Sequence, residues 1–122
     1  MSTNLKTARF DTETLTYKIV SDAALRHASN DDVTASSGFL HSITVANGSN
    51  VGYLKITLTE ATVVVGTTVP DIIIKVLAST TVRVTMPSGV AFTKLSFWQT
   101  TTGADSNNTS AAAQFDVTLV TT

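Results

Sequence analysis

FLHSITVA (Phe39–Ala46), GYLKITLT (Gly52–Thr59), DIIIKVL (Asp71–Leu77) and TVRVTM (Thr81–Met86) follow one another in one short stretch of this chain. The segments between them, NGSN, VGTTVP and AST, are rich in turn formers. Apart from the nearly all-apolar DIIIKVL, the runs alternate apolar with polar residues, so each of these reads as a β-strand with one buried and one wet face. Four such strands in succession specify an all-β fold: a single β-sandwich or jelly-roll-like domain.

Strands are expected on both sides of this stretch. LTYKIV places Leu15, Tyr17 and Ile19 on one face. Leu95–Gln99 carries Phe97 and the only tryptophan, Trp98, on opposite faces, and Gln114–Val120 alternates Phe115, Val117 and Leu119 with Asp116 and Thr118. About eight short antiparallel strands at this spacing are the signature of a sandwich or jelly roll. Within them, Phe39, His41, Ile43 and Val45 are expected inward, as are Leu54, Ile56 and Leu58. Tyr53, Lys55, Thr57 and Thr59 are expected in water. Asn47-Gly48 reads as a tight reversal, Pro87–Gly89 as a turn, and Ser21–Asp32 as a loop with at most one helical turn. Ile72, Ile73 and Ile74 are apolar on both faces, which points to double burial or a subunit contact.

The chain has 122 residues, which fits one domain. Met1–Arg9 is polar and reads as a flexible arm, with residues 10–122 as the sandwich. Charged residues make up 14% of the chain against a usual ~25%, and Thr, Ser and Asn carry the polarity instead. Threonine is β-branched and suits a pleated surface. A net charge of −1 with scattered basic residues argues against nucleic acid, whose binding needs concentrated positive charge. No apolar run approaches the ~20 residues that span a bilayer, so no membrane partner is expected. The polar N-terminus has no secretory pattern, which points to synthesis in the cytoplasm of the producing cell.

Chemistry is hard to find. Without cysteine there is no disulfide, thiolate metal site or cysteine nucleophile. His27 and His41 have no nucleophile elbow beside them. His41, in an alternating strand, reads as a hydrogen-bonded core or interface histidine. Asp22, Asn30, Asp31 and Asp32 form the densest oxygen cluster but lack a calcium-loop pattern, and a solvated acidic turn explains them. Glu13 and Glu60 suggest no paired carboxylates across a cleft. The expectation is no enzyme, no catalytic residue, no metal and no cofactor. Tyr53 and Trp98 combine ring area with a polar handle, so they suit either a sugar-stacking platform or an interface anchor.

The segment Gly52–Phe92 resembles a group of small tailed-phage virion proteins. The shared cues are an aromatic-x-Lys-apolar strand (Tyr53, Leu54, Lys55, Ile56), then Val65, Gly66, Thr67, Thr68 and Pro70 before a β-branched strand. A Gly-x-Ala-Phe turn at Gly89–Phe92 and a terminal strand at Val117–Val120 follow. The resemblance covers roughly residues 39–121, and the first 38 residues have no counterpart in it. It implies a capsid decoration or cement subunit on the virion surface, a β-sandwich homotrimer that binds the major capsid protein. Lys6, Arg9, Phe10, Tyr53, Ile73 and Trp98 are the candidate partner or subunit contacts. The competing expectation is a carbohydrate- or receptor-binding module of a phage fibre or tail, decided by whether Tyr53 and Trp98 lie exposed in one groove.

Overall fold

The computed structural model describes residues 4–9, 16–26, 28–109 and 114–122. In chain order these form β1 (Asn4–Arg9), β2 (Thr16–Leu25), β3 (Gly38–Asn47), β4 (Gly52–Thr57), β5 (Ile72–Val76), β6 (Thr81–Phe92), β7 (Ser96–Thr100) and β8 (Phe115–Thr121). All are strands, and the described residues contain no helix. A five-stranded sheet in the order β1-β2-β8-β3-β6 faces a three-stranded sheet in the order β5-β4-β7. Every pairing is antiparallel. Asn30 adds a single bridge to Phe97 on the free side of β7. With that bridge, β2-β8-β3-β6 opposes Asn30-β7-β4-β5, which is the strand order of a jelly roll.

The core lies between the sheets. Val20, Leu40, Ile43, Val45, Phe115, Val117 and Leu119 enter from the large sheet, and Leu54, Ile56, Val76 and Phe97 from the small one. The alternation expected in β4, β7 and β8 is present on these inner faces. Val82, Val84 and Met86 of β6, with Ile72 and Ile74 of β5, pack on the core but stay half-buried. β5 and β6 are the outermost strands of their sheets.

Several local expectations are corrected. Asn4–Arg9, read as a flexible arm, pairs along its whole length with β2, from Asn4↔Ser21 to Arg9↔Thr16. Backbone ladder bonds need no apolar side chain, which is why a polar segment can occupy a sheet edge. Ser21–Leu25 is strand and holds no helical turn. There the buried Asp22 carboxylate accepts the Ala24 amide at 2.9 Å and the Asn30 side-chain amide at 2.7 Å. This anchors the bulge between Asp22 and Leu25.

Asn47-Gly48 is not a hairpin, because β3 and β4 belong to different sheets and the residue at positive φ is Asn50. Pro87–Gly89 is not a strand-ending turn. Leu40 pairs with Val90 and Ser42 with Thr85, so Met86–Gly89 arch out of a continuous β6. Pro87 is tolerated on such an edge because no ladder bond is asked of it.

Phe39 and His41 do not face the core with Ile43. Opposite β8, Leu40 pairs with Thr121 and Ser42 with Val120, so His41 is one residue too many. A bulge of this kind reverses which side chains point inward. Leu40 is therefore buried, and Phe39 is left 48% exposed.

Candidate functional site

The outer face of the small sheet brings together three of the six candidate contact residues. Lys55 on the central strand pairs with Trp98 on one side and Ile73 on the other, and Tyr53 pairs with Thr100 and Lys75. Because cross-strand partners share a face, Trp98, Lys55 and Ile73 form one row with Tyr53 beside it. Of the side chains on this face, Tyr53, Lys55 and Thr57 were expected in water. Instead Lys55 and Thr57 are buried and Tyr53 is half-buried, and Trp98 is buried beside them.

Two loops close over this face. In the loop after β7, the Ala104 carbonyl accepts the Lys55 amine at 2.6 Å and the Asn107 amide at 3.1 Å. Gly103 of the same loop lies against the Tyr53 ring. In the loop between β4 and β5, Val64 accepts the amides of Thr67 and Thr68, forming a turn that carries Gly66 at φ +91°. That turn abuts Asn108 and Ser106, joining the two loops into one roof. Beneath it, burial pushes the Lys55 amine below its ordinary value, partly offset by the Asp105 charge.

The roof stops at β5. Ile73 is 44% exposed, and Val69 and Val64 of the preceding loop are 64% and 56% exposed. Ile73, the outward-facing residue of the Ile72–Ile74 run, is thus exposed, along a strand whose free edge has no partner among the described residues. Lys6 and Arg9 lie elsewhere, in β1 at the far edge of the large sheet. Phe10, His27 and Leu15 lie outside the described residues.

Sequence reasoning missed a second surface, the one produced by the His41 bulge. On the outer face of the large sheet the His41 and Tyr17 rings meet edge to face, with centroids 5.6 Å apart. His41 Nε2 shares a hydrogen bond with Thr122 Oγ1 at 3.3 Å. Gly89, at φ +76°, packs so closely that a Cβ there would lie 2.8 Å from Phe39 Cβ and 3.0 Å from His41 Cε1. The adjacent apolar pair Phe39-Leu40 breaks the alternation of its strand, and was the available signal of a bulge.

The acidic segment does not converge on a metal. Asp22 is used by Ala24 and Asn30, Asp31 is exposed, and Asp32 pairs with Lys94 at 3.7 Å. Among the described residues no group of three histidine or carboxylate side chains could hold an ion.

The chain matches no family model, no curated protein and no solved structure.

Proposed function

We propose that this chain is a structural virion protein, a capsid decoration or cement subunit that binds the major capsid protein on the outside of the particle. The observation that carries this reading is the outer face of the small sheet. Lys55 is closed under a roof and Trp98 is buried, while Ile73, Val69 and Val64 are exposed on and beside an edge strand. Such a surface gains its free energy from apolar area removed from water, about 25 cal/mol per Å². The jelly-roll order adds weight by analogy only, because one fold hosts many functions. The exposed Ile73 also favours a homotrimer, in which repeated weak contacts act together.

Electron microscopy of the source particle with and without the protein tests the proposal. Protein-dependent density at fixed positions on the shell, lost with Ile73→Asp, is the expected result. A particle unchanged by removal of the protein overturns it. Light scattering of the free protein tests the trimer.

One observation favours a second reading, a carbohydrate-binding module. It does not involve Tyr53 and Trp98, since the tryptophan is 1% exposed. It is the exposed Phe39 beside the His41–Tyr17 pair, whose ring face and polar neighbours are the elements of a sugar platform. Glycan-array binding abolished by Phe39→Ala would favour this reading over the first.

A further inference from the structure

We propose that Asn47-Gly48 is a latent self-modification site, kept silent by the fold and converted to aspartate or isoaspartate when its crossover opens. Asn47 ends β3, where the chain leaves one sheet for the other, and is 6% exposed. Its side-chain amide nitrogen donates to three carbonyls: Asn50 at 2.5 Å, Val76 at 3.2 Å and Leu77 at 3.2 Å. Its backbone amide donates to Thr80 at 2.9 Å. The Gly48 carbonyl accepts both the Ser79 amide at 3.1 Å and the Ser79 hydroxyl at 2.8 Å. One asparagine thus clasps the β3–β4 crossover to the β5–β6 crossover.

Next to it stands the residue that makes asparagine unstable. Gly48 is exposed, and the space where a Cβ would stand is empty. In the reaction, the Gly48 backbone nitrogen gives its proton to water and bonds to Asn47 Cγ. The Cγ–Nδ2 bond breaks, Nδ2 leaves as ammonia, and a five-membered succinimide remains. Water then adds to either ring carbonyl, giving aspartate or isoaspartate, with no electron transferred. The folded clasp opposes both halves of the first step. Among the described residues, Nδ2 is surrounded by acceptors with no acid to help it leave, and the buried Oδ1 has no donor to stabilise a developing oxyanion.

The product cannot close the clasp again. A carboxylate at position 47 would face three carbonyl oxygens with no proton to share, and isoaspartate would add a backbone atom at the crossover. An opening event that reacts therefore becomes permanent.

The test is peptide mapping of the full chain, held in mildly alkaline buffer at physiological temperature, folded or in guanidinium chloride. Asn47 should convert at least about tenfold more slowly in the folded protein, because reaction waits on local opening. Ser79→Ala should raise the folded rate at Asn47 while leaving Asn50 unchanged. Gly48→Ala, which fits the open space and needs no positive φ, should suppress the reaction in guanidinium chloride. Asn47→Asp should melt below wild type. Equal rates at Asn47 in folded and unfolded chains overturn the protection, and an Asn47→Asp protein as stable as wild type overturns the one-way clasp.

Discussion

Gly66→Val tests the roof over Lys55 at the point where its two loops meet. Gly66 holds φ +91°, a conformation that a residue with a Cβ adopts at a cost of about 1–2 kcal/mol. A Cβ at this position would also lie 3.0 Å from Asn108 Cβ and 3.4 Å from the Ser106 carbonyl oxygen. Valine adds two methyl groups to that crowding, so one loop must shift. Strain and displacement together should cost about 1–3 kcal/mol. Guanidinium denaturation followed by Trp98 fluorescence reads the loss, expected as a lower midpoint with an unchanged slope. Repeating the substitution in an Asn108→Gly background removes the crowding and leaves the backbone strain, so part of the loss should return. A Gly66→Val protein within about 0.5 kcal/mol of wild type would refute the argument. Normal stability with lost attachment to a capsid would instead make this turn a contact site.

The remaining predictions concern single side chains. Lys55 is held below its ordinary value by burial, so the unfolded chain binds the extra proton in the window beneath that value. Its contribution to stability therefore rises with pH, and wild type should gain on Lys55→Met between neutrality and about pH 10 in paired melts; parallel curves would show that the amine is solvated. Gln99 is fully buried with neither amide atom bonded among the described residues, so Gln99→Met should stabilise by about 1–3 kcal/mol in denaturant titrations, and a loss would reveal an internal partner. Ile73→Asp should leave the melting temperature of the isolated chain within a few degrees while abolishing any oligomer in light scattering, since Ile73 is exposed in the single chain; a collapse of the monomer would place Ile73 in the core instead. Deleting residues 1–9 removes β1 and bares the edge of β2, so it should lower stability measurably in thermal melts, whereas an unstructured arm would cost nothing.

Much of the fold was legible because burial imposes a period of two on a strand. Leu54 and Ile56, or Phe115, Val117 and Leu119, announce an inner face whatever the strands pair with. Alternation does not say which sheet a strand joins, so the crossover at Asn47-Gly48 was indistinguishable from a hairpin. Nor does it count residues across a pairing, and the single extra residue at His41 moved Phe39 from core to surface. Polar β1 carried no signal, because a backbone ladder to β2 leaves no alternation in the sequence.

The candidate site was legible only in pieces. Tyr53, Ile73 and Trp98 stood out by residue type, but their shared face follows from the register Trp98↔Lys55↔Ile73, which no local pattern encodes. Lys55 was read as a wet lysine because the loop that buries it comes from residues far along the chain.

The position of β8 in the large sheet governs when this protein can fold. The last strand of the chain lies at the middle of that sheet, between β2 and β3, and supplies a ladder to each. Until the residues through Thr121 have emerged, β2 and β3 have no common neighbour, and the small sheet has no Phe115, Val117 and Leu119 to pack against. A nascent chain stalled before that point holds sticky, unpaired strands, and distant pairings of this kind close slowly. Folding of the large sheet therefore waits for β8, and removing that strand would take the keystone from it.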